Sequence, residues 1–389
     1  MRDHVRVANG AHTRDGTGVA DRQAGSPDSA GSMPDELNPR RVRRRLLEFA
    51  LFAVAITIFV LIGPGLGELR TRLAHAKPGW LVAGVGLEVL STLSYVVIFR
   101  AVFCPRMTWR LSYLIGMSEQ GANSVLSISG TGGLALGAWA LRRGGMNAEH
   151  IGRKSVAFFL LTSLANVAAV IVFAALYASG ALHNDRDAAL TYGAGAAALA
   201  ALLFVPALAA FLRREPAVAR TRMGRLARLA RFARHSLGHG VSDGLSLLRR
   251  GSPGVILGAV GTTAFDLAVL GVCFRAFNYS PPIGVLALGY LIGQLGGNLP
   301  VPGGVGGLDA GMIGTFALYH QPLAATTAAV LAYHAIALWV PGLLGSLAFV
   351  RLRNVLQRDE QAAAMCTPLA GPIEAVRLPA GTASGRVPG

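Results

Sequence analysis

Apolar residues run almost unbroken through six stretches of the chain, 46–66, 80–99, 155–179, 188–212, 253–277 and 323–350. Each is about 20 residues or longer, which lets a helix cross a hydrocarbon core roughly 30 Å thick. Two further stretches, 111–141 and 281–320, are apolar overall but interrupted near the middle, the first by SISGTGG and the second by LPVPGGVGG. Proline ends a helix and glycine weakens one. Each of these stretches therefore predicts two half-helices meeting at a break.

The polar segments set the orientation. Arg40, Arg41, Arg43, Arg44 and Arg45 precede the first span, and Arg100, Arg106 and Arg110 follow the second. Arg142, Arg143, Arg153 and Lys154 follow the first broken stretch, and 213–252 is long and basic. The positive-inside rule places all of these in the cytoplasm. Loops 100–110 and 142–154 share a side only if 111–141 enters and leaves from that side. It is then a re-entrant hairpin turning near mid-membrane at Gly130–Gly133. The same logic sends 281–320 in and out from the external side. Arg70, Arg72 and Lys77 fall outside in this scheme and are read as part of an interfacial connection, 68–79. The expected fold class is an all-α polytopic membrane protein with about six full spans plus two inverted re-entrant helical hairpins. Residues 1–38 and 358–389 read as disordered cytoplasmic tails, and 39–357 as a transmembrane domain with 213–252 as its basic cytoplasmic loop. The first 38 residues hold no apolar core of a signal peptide.

The two broken stretches match each other. SISGTGGLALG at 127–137 aligns with VPGGVGGLDAG at 301–311, an offset of 301 − 127 = 174 residues. Both contain G-x-G-G-L-x-x-G, and Gln120 aligns with Gln294 upstream. Each is preceded by a span carrying a carboxylate, Glu88 or Asp266, and followed by another full span. Interrupted segments in matching positions of two halves are the best sequence pointer to a transporter site.

Broken backbone within hydrocarbon survives only where it is buried in protein or lines a wet cavity. Gly130, Gly132 and Gly133, together with Asn298, Pro300, Pro302, Gly303, Gly304, Gly306 and Gly307, are therefore the candidate cavity lining. The departing half-helices begin near Gly130–Gly133 and Gly304–Gly307, with free N–H groups that attract anions, phosphate above all. Close helix packing on small residues is the competing account of the single glycines. Ionisable residues inside spans are costly and usually functional. Asp309 stands in the second motif and His334 in the last span (LAYHAIALWVPG); the two are expected to meet, either as a functional pair or as a structural clasp. Glu88 and Asp266 are candidates for coupling transport, with mutual pairing or snorkelling as the competing account, and Glu119, near the mouth of the first hairpin, is a weaker candidate.

Composition agrees with this picture. Of 389 residues 52% are hydrophobic and 14% charged, against about 25% charged in soluble domains. The net charge of +16 sits in tails and loops beside spans, so it reflects orientation and not nucleic-acid binding. In RTRMGRLARLARFARH, 220–235, arginines recur every third residue and spiral around a helix, so no clean amphipathic face is expected. Cys104, Cys273 and Cys366 match neither a disulfide framework nor a metal spacing. GTGGLA at 130–135 fits G-x-G-x-x-A without a surrounding βαβ unit, and no phosphate-binding lysine follows either glycine cluster. No catalytic signature occurs, and the segments outside the spans are too short for an enzyme domain. No cofactor or metal is called for.

NLPVPGGVGGLDAG, followed by AVLAYHAIALWVPGLLGSLAF, resembles the membrane domain of the lysylphosphatidylglycerol synthase/flippase family, over roughly 46–350. The family pattern is P-x-P-G-G-x-G, an acidic residue, then a Tyr-Arg pair before Pro-Gly in the last span. Pro300, Pro302, Gly303, Gly304, Gly306, Tyr333, Pro341 and Gly342 match it; Asp309 takes the acidic place and His334 the basic one. The resemblance implies flipping of a phospholipid or modified anionic lipid between leaflets of the cell membrane, without the soluble aminoacyl-transferase domain of bifunctional members. Membrane lipids are then the partners. Two other readings stand beside it: an accessory protein partnered with a lipid-modifying or glycan-assembly enzyme, and a secondary transporter of a small solute or ion.

Overall fold

A computed structural model describes residues 67–126, 131–179, 225–297 and 307–358, with residues 51, 195, 196, 199 and 200. The expected spans at 46–66 and 188–212, the two tails and both breaks, 127–130 and 298–306, lie outside the described residues. Among the described residues there are ten helices and no strand: α1 (Gly67–Ala74), α2 (Pro78–Phe103), α3 (Trp109–Leu126), α4 (Thr131–Arg143), α5 (Ala148–Ala178), α6 (Arg225–Arg249), α7 (Pro253–Ala276), α8 (Ile283–Gly297), α9 (Gly307–Leu318) and α10 (Leu323–Arg358). Four of them, α2, α5, α7 and α10, are long and apolar enough to cross a membrane. They coincide with four of the six expected spans. Large apolar side chains on them point outward, Val82, Leu257 and Leu347 each about two-thirds exposed; only a lipid environment makes such faces inexpensive.

α2 and α7 form the centre and run antiparallel. Pro78 and Pro253 open them at a position where the missing N–H is harmless. Gly254 packs on Ala101, Gly258 on Ile98, Gly261 on Ser94, and Gly84 on Val272. A Cβ on Gly258 would come within 2.6 Å of the Ile98 Cβ, so the crossing depends on a missing side chain. One end of this pair gathers arginine: Arg100, Arg106, Arg110, Arg142, Arg143, Arg249 and Arg250 lie at or beside its helix termini. At the opposite end the Lys77 N–H donates to the Ala276 carbonyl, 2.9 Å. Arginine–tryptophan stacks mark both levels, Arg100 on Trp109 and Arg275 on Trp80. From Trp80 to Arg100 is about 30 Å of helix at roughly 1.5 Å per residue, the thickness of a bilayer core.

The broken stretches fold as antiparallel helix pairs. In the first, the Gly133 N–H donates to Asn123 Oδ1 (3.0 Å) and Gly137 lies against the Glu119 carboxyl. In the second, Gly289 receives the Phe316 ring and Gly293 receives Met312. α4 has 13 residues and α9 has 12, about 20 Å each, too short to cross a bilayer. The α3–α4 pair opens at the arginine end, since α3 follows the 104–108 connector and α4 ends at Arg143. The α8–α9 pair opens at the other end, where Tyr279 Oη donates to Gln321 Oε1 at 2.5 Å.

Element positions repeat along the chain. α3 and α8 start at 109 and 283, which differ by 174, and α5 and α10 start at 148 and 323, which differ by 175. Adding 174 to 84 and 98 gives 258 and 272, so the contact of Gly84 with Val272 and that of Gly258 with Ile98 exchange places. α3 packs along α10 as α8 packs along α5. The α3–α10 contact brings backbone against backbone: a Cβ on Gly121 would lie 2.7 Å from the Gly345 Cα, beside Pro341, which interrupts the backbone bonding of α10.

Two expectations need correction. Residues 67–74 of the supposed connection are helical, α1. Within the supposed loop 213–252, residues 225–249 form α6, which lies along the start of α5. Its packing face is made by Ser236, Gly240 and Gly244, four apart, against Val156, Leu160 and Ala157. Arg153 clamps Asp243 with two bonds, 2.9 and 3.1 Å. The arginine spacing at 222–234 missed this face because it lies further along the chain. Cys273 is a buried free thiol.

Candidate functional site

Two apolar clusters fill the protein, one around Phe99, Phe103, Met117 and Phe158, the other around Phe274, Phe316, Tyr319 and Val330. A polar layer separates them. Along α7, Asp266 lies between Ala259 of the first cluster and Val269 of the second. Along α2, Glu88, Ser91 and Thr92 come just before Tyr95, where the first cluster begins. These α2 groups are buried, Glu88 being 4% exposed.

Asp266 accepts two hydrogen bonds, from Ser91 Oγ on α2 (2.7 Å) and from Tyr290 Oη on α8 (3.0 Å). Glu88 is its electrostatic neighbour across the α2–α7 crossing, and Glu88 Oε2 is buried with no hydrogen-bond partner among the described residues. Tyr333 of α10 stands edge-on to Tyr290, ring centres 6.3 Å apart, and bonds Gln294. Thr263 of α7 donates to Asn166 of α5 at 2.8 Å. Five helices thus contribute polar groups to one level.

The expected contact between Asp309 and His334 is present: His334 Nδ1 lies 3.0 Å from Asp309 Oδ1. Asp309 occupies the first turn of α9, where the helix dipole favours a negative group. His334 Nε2 is buried and has no partner among the described residues. Adjacent residues of α10 therefore face two polar groupings, Tyr333 toward α8 and His334 toward the start of α9.

Gly132 and Gly133 are buried in the first turn of α4 and Gly307 begins α9. Gly130, Asn298, Pro300, Pro302, Gly303, Gly304 and Gly306 lie outside the described residues. Glu119, expected near the hairpin mouth, is buried midway along α3, bonded to Tyr95 and pressed on Gly137. The sequence reading missed Ser91, Tyr290 and Tyr95. A tyrosine inside an apolar span is the signal that was available, because a buried hydroxyl needs a partner. Gln294 carried a signal through its repeat match to Gln120. Among the described residues no cluster of three His, Cys, Asp or Glu could hold a metal.

The model of the lysylphosphatidylglycerol synthase transmembrane region matches residues 45–345. The chain belongs to this family. It is a multi-pass helical membrane protein of the lipid-related flippase and synthase type, and the region matched is the membrane part of such synthases, not the catalytic part. No curated protein matches it.

Proposed function

We propose that the chain is a lipid flippase of the cell membrane, which passes the headgroup of a phospholipid or modified anionic lipid between leaflets while the acyl chains stay in the bilayer. One observation carries this reading: two short helix pairs open at opposite ends of the α2–α7 core, with the same glycine motif at their closed ends. We read them as re-entrant hairpins of an inverted repeat. The 174-residue exchange of contacts between Gly84–Val272 and Ile98–Gly258 supports that reading. Positive-inside logic then makes the arginine end cytoplasmic, with both termini on that side.

In this arrangement α4 and α9 begin at mid-membrane; the Gly133 N–H of α4 is already given to Asn123, and the start of α9 is the helix end suited to a phosphate. His334 Nε2 supplies a donor or an acceptor beside the start of α9, and Asp309 fixes the ring that carries it. Asp309 and His334 then answer to headgroup charge. The test is translocation of headgroup-labelled lipid in proteoliposomes, comparing anionic with zwitterionic lipid and wild type with Asp309→Asn. Faster movement of one class, lost in a folded Asp309→Asn protein, is expected. No movement of any lipid by a folded wild-type protein would overturn the proposal.

A further inference from the structure

Glu88 and Asp266 lie 178 residues apart in sequence (266 − 88), yet they meet near the middles of two long antiparallel helices. The 174-residue exchange relates α2 to α7 about a point near Ser91, so both carboxyls sit within about one helical turn of the repeat's own centre. Coupling sites of inverted-repeat transporters fall at this level. Two like-charged groups held together in an apolar setting repel and lack water. Among the described residues neither has a cationic partner: the ion pairs near them stop at Asp309–His334. The other groups facing the pair are Ser91 and Thr262 of α2 and α7, Cys273 of α7, Tyr290 of α8 and Tyr333 of α10. None is a base.

The two carboxyls are not equivalent. Asp266 receives two hydroxyl protons, which favour a negative charge there. Glu88, in contrast, has a buried oxygen with no hydrogen-bond partner among the described residues. We infer that the Glu88–Asp266 pair is a proton site: Glu88 holds one exchangeable proton while the pair is sealed, and releases it when the crossing opens to water. On release the O–H bond of Glu88 breaks, the electron pair stays on its carboxylate, and the proton passes to cavity water. Two adjacent carboxylates then repel across α2 and α7, which favours the open arrangement; reprotonation removes the repulsion and lets the crossing close. Tyr333 joins this site to the Asp309–His334 pair, because it and His334 are neighbours on α10.

The inference extends the flippase reading, and the experiment separates the two. In proteoliposomes carrying headgroup-labelled anionic phospholipid, the wild-type translocation rate is measured against pH, with sodium replaced by choline as a second arm. One titrating proton predicts a rate change of up to about ten-fold per pH unit, indifferent to sodium. Glu88→Gln and Asp266→Asn, each checked for folding, lose that pH dependence whatever their absolute rate. Independently of lipid, the infrared difference spectrum between acidic and alkaline protein should show a carboxylic C=O band. That band shifts in D2O and is missing in Glu88→Gln. A folded Glu88→Gln protein that keeps the band and the wild-type pH dependence overturns the inference. A sodium requirement at constant pH overturns it in favour of a metal cation. If the band is present in wild type and absent in Glu88→Gln but no lipid moves, the proton site stands and the flippase reading falls.

Discussion

The hydroxyl of Tyr290 lies 3.0 Å from Asp266 Oδ2, and its ring is sealed between α7 and α10. Removing it leaves the ring's packing intact and deletes one donor to a buried carboxyl. Tyr290→Phe should lower stability by about 1.5–3 kcal/mol, the range for a hydrogen bond to a charged group. Ser91→Ala should cost a similar amount. The two act on one carboxyl, so the double variant should depart from additivity. Thermal unfolding in detergent, scored by monodisperse elution, reads these differences. Neither effect was legible in the sequence. Ser91 and Tyr290 look like ordinary polar residues in apolar helices until the α2–α7 register puts Asp266 between them. Asp309 and His334 were legible because a carboxylate and an imidazole each stood alone in adjacent apolar helices, where unpaired polarity is expensive.

Glycines govern how the helices meet. Gly289 and Gly293 are one turn apart on α8 and accept Phe316 and Met312 of α9. A Cβ at Gly289 would lie 2.5 Å from the Phe316 Cζ. Gly314, on α9 itself, has nothing within 4 Å of such a Cβ. Gly289→Leu should therefore force the pair apart and abolish recovery of folded protein. Gly314→Ala should be neutral or stabilise by up to about 1 kcal/mol, the helix-propensity gain over glycine. Equal yields of both variants would show that the α8–α9 contact is not what holds the pair together. Four spans and both helix pairs could be read from the sequence, because apolar length and Gly/Pro interruption act locally. α6 could not. Its packing surface is a row of the smallest residues, Ser236, Gly240 and Gly244, which look like flexibility when read alone. Only the neighbouring α5 turns them into a contact face, clasped by Arg153 and Asp243.

At the scale of the molecule, the connectors between helices fall into two groups at opposite ends. The 104–108 connector, the 144–147 turn after α4 and the 250–252 turn before α7 all lie at the arginine end. The 75–77 and 277–282 connectors and the 319–322 turn lie at the other. If α3 and α4 each crossed fully in an extended arrangement, 104–108 and 144–147 would still share a side, so the flanking connectors alone do not separate the cases. The closed tips do. A re-entrant pair keeps its tip at mid-membrane, reachable by a small thiol reagent through a wet cavity but not by a bulky charged one. A full crossing exposes the tip to both. Single cysteines at Asn147 and Arg250 should react with a bulky impermeant maleimide from the cytoplasmic face. Cysteines at Asn278 and Gln321 should react from the external face. Cysteines at Ser129 and Val305 should react with a small methanethiosulfonate and with neither face's bulky reagent. Bulky labelling of Ser129→Cys from the face opposite Asn147→Cys would make α3 and α4 full spans. The two halves would then no longer meet at mid-membrane, and the headgroup path between them would be lost with that arrangement.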